Sequence, residues 1–259
     1  MVASINKLYN HLTGKFQPDL TNFNDNDEKK QNFIISLTSI PKRNRSLKKT
    51  LKSLVSQDYE NFSIELNLPK EMKGTVEVQD NKIKVFYVDD IGPITKLFYT
   101  LQRHEGTNHK IITVDDDIHY HPEMLKTYGS MRISRSAVGF AGINIVDGEF
   151  ASVTQVENPT SVDILEGYKS VCYSPLFFER DFFEKYAKLP VFDDALISGY
   201  LKRKGIERIV MPHKFLKSYH WFKHFPTKKL FRNPSSGCAD LKEKYGDYQE
   251  NYVEFFNSL

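Results

Sequence analysis

Residues 110–122 read KIITVDDDIHYHP. Ile111, Ile112, Thr113 and Val114 are all β-branched and favour a strand, yet that strand runs directly into Asp115, Asp116 and Asp117. Like carboxylates about 4 Å apart repel by roughly 4 kcal/mol at an effective dielectric near ~20, so a positive group is expected among them. Side chains alternate along an extended chain, which sends Asp115 and Asp117 to one side and Asp116 to the other. Two carboxylates on one side form a hard-oxygen site suited to Mg2+ or Mn2+, ions that complete their shells with water and phosphate oxygens. The competing reading is a surface turn whose aspartates cap a helix beginning near Pro122.

Outward from this stretch the pattern alternates. FIISLTSI (33–40) is a buried strand ending at Pro41, which lacks the N–H a ladder needs. In NRSLKKTLKSLVSQ (44–57), Leu47, Leu51, Leu54 and Val55 form one apolar helical face. FSIELNL (62–68) and KIKVFYV (82–88) are strands, and Ile94, Leu97, Phe98 and Leu101 mark another amphipathic helix. Strand, helix, strand, strand, helix, strand implies an α/β fold: a twisted, mostly parallel sheet flanked by helices, which binds ligands beyond the carboxyl ends of its strands.

Beyond the aspartates, AVGFAGINIV (137–146) and EFASVTQV (149–156) are expected strands, and VDILEGYKSVCYS (162–174) a strand with a turn. FDDALISGYLKRKG (192–205) is a helix: Leu196, Ile197, Tyr200 and Leu201 share a face, Asp193 and Asp194 suit its N-terminal dipole, and Gly205 ends it. The expected organisation is an N-terminal extension (1–32), one α/β domain (33–211) and an aromatic, basic tail (212–259). No repeat or low-complexity segment interrupts it.

A formal charge of +3 does not by itself argue for a nucleic-acid protein or a polybasic membrane anchor. The distribution is more telling, because Lys202 to Arg232 holds ten Lys or Arg against the single acid Glu207, interleaved with Tyr219, Trp221, Phe222 and Phe225. That segment expects anions, whether a diphosphate over which it closes, anionic lipid or simply solvent. Cys172 and Cys238 have neither disulfide-scaffold nor zinc spacing. No stretch approaches the ~20 apolar residues of a membrane span. The expectation is a cytoplasmic protein whose membrane contact, if any, is peripheral at the inner face.

FIISLTSIPKR (33–43), VDDIGPITKL (88–97), IITVDDDI (111–118), LEGY (165–168) and FDDALISGYL (192–201) together resemble the successive motifs of nucleotide-sugar-dependent glycosyltransferases of GT-A fold, nearest to family-2-like and virus-type transferases that build surface glycans. The aspartate triplet matches their Asp-x-Asp signature. This resemblance implies that Asp117, with Asp115, holds Mn2+ or Mg2+, and that Asp115 and Asp116 hold ribose hydroxyls or metal-bound water. It implies Thr38, Ser39 and Arg43 near the base or phosphates, Asp89 and Asp90 at the base or ribose, and Lys96 at the nucleotide. The resemblance also implies that Asp194 is the base of an inverting transfer, supported or capped by Asp193, with Glu166 the next candidate or an acceptor contact. His220 is a possible further metal or phosphate ligand. His119 and His121 fit an exposed turn better than a metal shell, and Trp221, Phe222 and Phe225 are available to stack on a sugar or rest on a membrane.

The implied donor is a nucleoside-diphosphate sugar, UDP first with GDP and dTDP open, and the acceptor a glycan or lipid-linked glycan. Nucleic acid is not among the expected partners. A sugar nucleotidyltransferase would carry a glycine-rich loop after its first strand, and LTSIPKRNRS (37–46) has no glycine. An aspartyl-nucleophile phosphatase needs a hydroxyl where His119 stands. The alternatives are a non-catalytic glycan- or nucleotide-binding module on the same fold, or a sugar nucleotidyltransferase that lacks that loop.

Overall fold

The computed structural model describes residues 31–131, 135–154, 156–186, 193–213, 222–224, 256 and 258. Strand β1 (Phe33–Thr38) leads through a 3₁₀ turn into helix α1 (Asn44–Val55). Then come β2 (Phe62–Pro69), β3 (Ile83–Val88), α2 (Thr95–Arg103), β4 (Lys110–Thr113), β5 (Ile118–Tyr120) and α3 (Met124–Gly129). The second half contains β6 (Ser136–Gly139), β7 (Gly142–Val146), β8 (Glu149–Val153), β9 (Thr160–Ser161), β10 (Ile164–Leu165), β11 (Val171–Tyr173), α4 (Asp193–Arg203), β12 (Glu207–Val210) and β13 (Phe222–His224).

Eight strands form the main sheet in the order β3-β2-β1-β4-β11-β6-β12-β9. The first four are mutually parallel. β11 runs antiparallel to both β4 and β6, β12 is parallel to β6, and β9 closes the edge antiparallel. The sheet is therefore mostly parallel, as expected, with antiparallel members confined to its second half.

Alternation along β1 distributes the core. Phe33, Ile35 and Leu37 pack with Leu47, Leu51 and Leu54 of α1 on one face, whereas Ile34 joins Leu97, Phe98 and Leu101 of α2 on the other. That is the period-2 strand meeting the apolar stripe of a helix on each side. Ser36, which faces α2, donates its hydroxyl to the carbonyl of Lys96 and so fixes the first turn of that helix to the sheet.

Two expected elements differ in detail. AVGFAGINIV is not one strand: β6 stays in the main sheet while β7 pairs with β8 and β10 in a separate three-stranded sheet. Gly142 lies at the junction, where a Cβ would come within 2.7 Å of the Ile164 carbonyl. His119, expected in a turn, lies instead in β5 and is exposed; β5 pairs antiparallel with β13, so residues 222–224 of the tail lie alongside the segment that follows the aspartates. Near the C-terminus, Phe256 is buried against Ile164 and Ala195. Among the described residues, no helix is long and apolar enough to cross a membrane.

Candidate active site

The carboxyl end of β4 delivers the aspartate triplet, and its members diverge. Asp116 turns inward and is 3% exposed. One oxygen accepts a hydrogen bond from Arg43 at 2.8 Å and the other from the Ser39 hydroxyl. Burial pushes the Asp116 carboxyl up despite the opposing pull of Arg43 and these hydrogen bonds. Burial also opposes the charge of Arg43, but Asp116, with Asp117 and Asp115 behind it, outweighs that and holds the guanidinium above its ordinary value. Asp117 is 3.9 Å from the same guanidinium. The cation expected among the aspartates is thus in part Arg43, supplied from the turn after β1.

Asp115 meets a second cation. Its Oδ1 is 2.8 Å from Lys96 Nζ, and Lys96 in turn lies 3.1 Å from Asp193 Oδ2 in the first turn of α4. The Asp115 backbone N–H donates to the Tyr120 hydroxyl at 2.8 Å, and that hydroxyl reaches the Tyr168 carbonyl at 3.3 Å. Asp194, beside Asp193, accepts the backbone N–H of Gly167 at 3.0 Å. Burial, then the neighbouring Asp193 charge, pushes the Asp194 carboxyl well above the usual range, with Lys96 pulling the other way. Glu166, next to Gly167, is raised by burial against the pull of Lys169.

The structure therefore brings Ser39, Arg43, Lys96, Asp115, Asp116, Asp117, Asp193 and Asp194 to one rim of the sheet. Thr38 instead donates its hydroxyl to the Asn67 carbonyl at 2.7 Å. Asp89 and Asp90 occupy exposed positions after β3, where Asp89 pairs with Lys70 at 2.7 Å and Asp90 accepts the Gly92 N–H at 2.9 Å. The His121 ring accepts the Glu123 N–H at 3.2 Å. His220, Trp221 and Phe225 lie outside the described residues, and of Phe222 only the strand position is described.

Gly167 and Tyr120 carried no assigned role in the sequence, and both shape the site. The LEGY glycine was the available signal, because a Cβ there would stand 2.9 Å from Asp194 Oδ1 and 3.2 Å from Lys96 Nζ. Tyr120 looks in sequence like any strand aromatic.

The donor set suits a divalent ion in kind, since Asp115 and Asp117 offer hard carboxylate oxygens at an accessible edge, with side chains 31% and 14% exposed. It does not form a closed cage: among the described residues, no three His, Cys, Asp or Glu side chains converge as metal ligands. An ion at Asp117 and Asp115 would therefore draw the rest of its shell from phosphate and water, as Mg2+ usually does.

No family model and no curated protein matches the chain. Among solved structures, S. aureus TarS superposes with a TM-score of 0.51 at 14% identity, over 88% of this chain and 43% of that one. Residues 1–349 of TarS in complex with UDP-GlcNAc give a TM-score of 0.48 at 12% identity, over 74% of this chain and 58% of that one. The mannosyltransferase PcManGT from Pyrobaculum calidifontis, in complex with GDP-Man and Mn2+, gives 0.44 at 12% identity, over 73% and 58%. The chain thus spans about half the length of the structures it matches. At such identity the likeness is one of fold, a GT-A-type sheet, and function has to be argued from the site.

Proposed function

We propose that the chain is a glycosyltransferase that moves a sugar from a nucleoside-diphosphate donor, a UDP-sugar first, to a hydroxyl of a glycan or lipid-linked glycan with inversion at the anomeric carbon. One observation carries this reading: two carboxylate groups from distant parts of the chain, Asp115–Asp117 beyond β4 and Asp193–Asp194 at the start of α4, meet across a single buried ammonium. Transfer needs one carboxylate set on the leaving-group side and another on the acceptor side.

Asp117, with Asp115, is assigned to hold Mn2+ or Mg2+, which when bound neutralises charge on the departing diphosphate. Asp116, locked to Arg43 and Ser39, holds the strand end in shape and keeps Arg43 at the rim, where the donor phosphates are assigned. On the acceptor side, Asp194 takes the proton of the attacking hydroxyl. Its carboxyl is raised by burial, which makes it a stronger base than a solvated aspartate, and the Gly167 N–H fixes its orientation. Glu166, the residue before Gly167, is assigned as an acceptor contact. Residues 33–211 carry this machinery, and the basic tail is assigned to cover the donor and exclude water. The assigned setting is cytoplasmic, with peripheral contact at the inner membrane face.

The test is calorimetry with UDP, GDP and dTDP, with and without Mn2+, followed by release of free nucleotide from a panel of sugar donors. Metal-dependent nucleotide binding and acceptor-dependent release support the proposal. Nucleotide or glycan binding without turnover of any donor would replace it with a binding module.

A further inference from the structure

Asp115, Asp193 and Asp194 surround an ammonium that the fold has built in. The Lys96 side chain is 8% exposed, with Nζ at 2.8 Å from Asp115 and 3.1 Å from Asp193. Its backbone is held by Ser36, and the missing Cβ of Gly167 leaves the ammonium its room. The ammonium is enclosed by carboxylates contributed by two different elements.

We propose that Lys96 is a positioning residue, an internal counterion that ties Asp115 at the end of β4 to Asp193 at the start of α4 and thereby sets where Asp194 stands. Its consequence for catalysis rests on the glycosyl-transfer reading; the tether does not. Remove the ammonium and three carboxylates from two separately folded elements repel one another, so the strand end and the helix start move apart. Because the partners lie on opposite sides of the reaction, a small separation there misaligns donor and base together.

Chemical complementation tests it. Lys96→Ala removes three methylenes and the ammonium, which n-propylammonium replaces atom for atom. Lys96→Ala is expected to lower kcat by about 100-fold or more. Added n-propylammonium should recover roughly tenfold of that rate saturably and raise the thermal midpoint of the variant by several degrees, with no such effect on the wild type. Tetramethylammonium, a cation without N–H donors, should do neither. Lys96→Arg is expected to keep more than about a tenth of the wild-type rate, and Lys96→Met, similar in length but uncharged, to fall with Lys96→Ala. If Lys96→Ala does not fold, the Arg and Met variants decide. Wild-type rates in Lys96→Met, or an unmoved midpoint and rate of Lys96→Ala under n-propylammonium, would overturn the assignment. A wild type that turns over no donor sinks the glycosyltransferase reading instead, and the midpoint of Lys96→Ala under n-propylammonium still decides the tether.

Discussion

The backbone N–H of Gly167 donates to Asp194 at 3.0 Å, and the glycine has no side chain because Asp194 and Lys96 occupy the space one would need. The crowding is by close approach: a Cβ would lie 2.9 Å from the Asp194 carboxylate, tighter than van der Waals contact allows. Gly167→Ala is expected to displace that carboxylate and lower kcat by about 10- to 100-fold while leaving nucleotide affinity within about threefold. Steady-state kinetics beside calorimetry checks it; unchanged turnover would separate Gly167 from the acceptor side.

Asp194→Asn keeps an oxygen that can accept the Gly167 N–H but cannot take a proton. Transfer should drop by about 10² to 10⁴-fold with nucleotide binding retained. In the wild type the rate should rise with pH through an apparent value above the ordinary aspartate range, since burial and Asp193 raise that carboxyl. A pH–rate profile with no rise anywhere above the ordinary aspartate range would exclude Asp194 as the base.

The same shift has a signed effect on stability. The folded-state value of Asp194 is raised, so the folded chain binds the proton more tightly than the unfolded chain does. Its contribution is full below the unfolded value of 3.8 and is lost as pH rises through the folded value. Asp194→Asn should therefore be more stable than wild type near neutrality and lose part of the wild-type decline in stability above that value. Glu65 works in the opposite sense. Burial opposes its charge, but His104, Arg103 and Thr100 overcome it and lower the carboxyl, so its contribution holds above 4.5 and is lost as pH falls through the folded value. Urea titrations carried from strongly acidic pH, below the ordinary glutamate range, up past neutrality measure both slopes.

Asp116 and Asp117 are neighbours with separable roles. Asp116→Ala leaves Arg43 without its closest carboxylate and should cost about 2–3 kcal/mol of stability. Asp117→Ala, which removes only the more distant carboxylate 3.9 Å from Arg43, should cost less stability than Asp116→Ala yet abolish Mn2+-dependent nucleotide binding. Denaturant unfolding and nucleotide calorimetry distinguish them; equal stability losses would mean that Asp117 too is structural.

The first half of the sheet was legible because β1, β2 and β4 are largely buried on both faces and its helices carry clean apolar stripes, as β1 with Leu47 and Leu97 illustrates. The second half was less so. Beyond the break between β6 and β7, β7 pairs with β10 and Gly142 lies close to the Ile164 carbonyl, a contact between segments that no local pattern encodes. The resemblance singled out Lys96 for the nucleotide, but its carboxylate partners were not legible, since Asp193 joins it only through the fold.

Residue type and order alone determined that three carboxylates stand at a strand end and two more open a helix, because β-branching and helix-dipole preference act over a few neighbouring residues. Which carboxylate faces which cation was decided only in three dimensions. Asp116 goes to Arg43 and Asp115 to Lys96 because parallel pairing of β1 with β4, and the packing of α2 on the sheet, place those cations there. Charges separated along a chain have no energetic relationship until burial sets their distance and strips away the water between them.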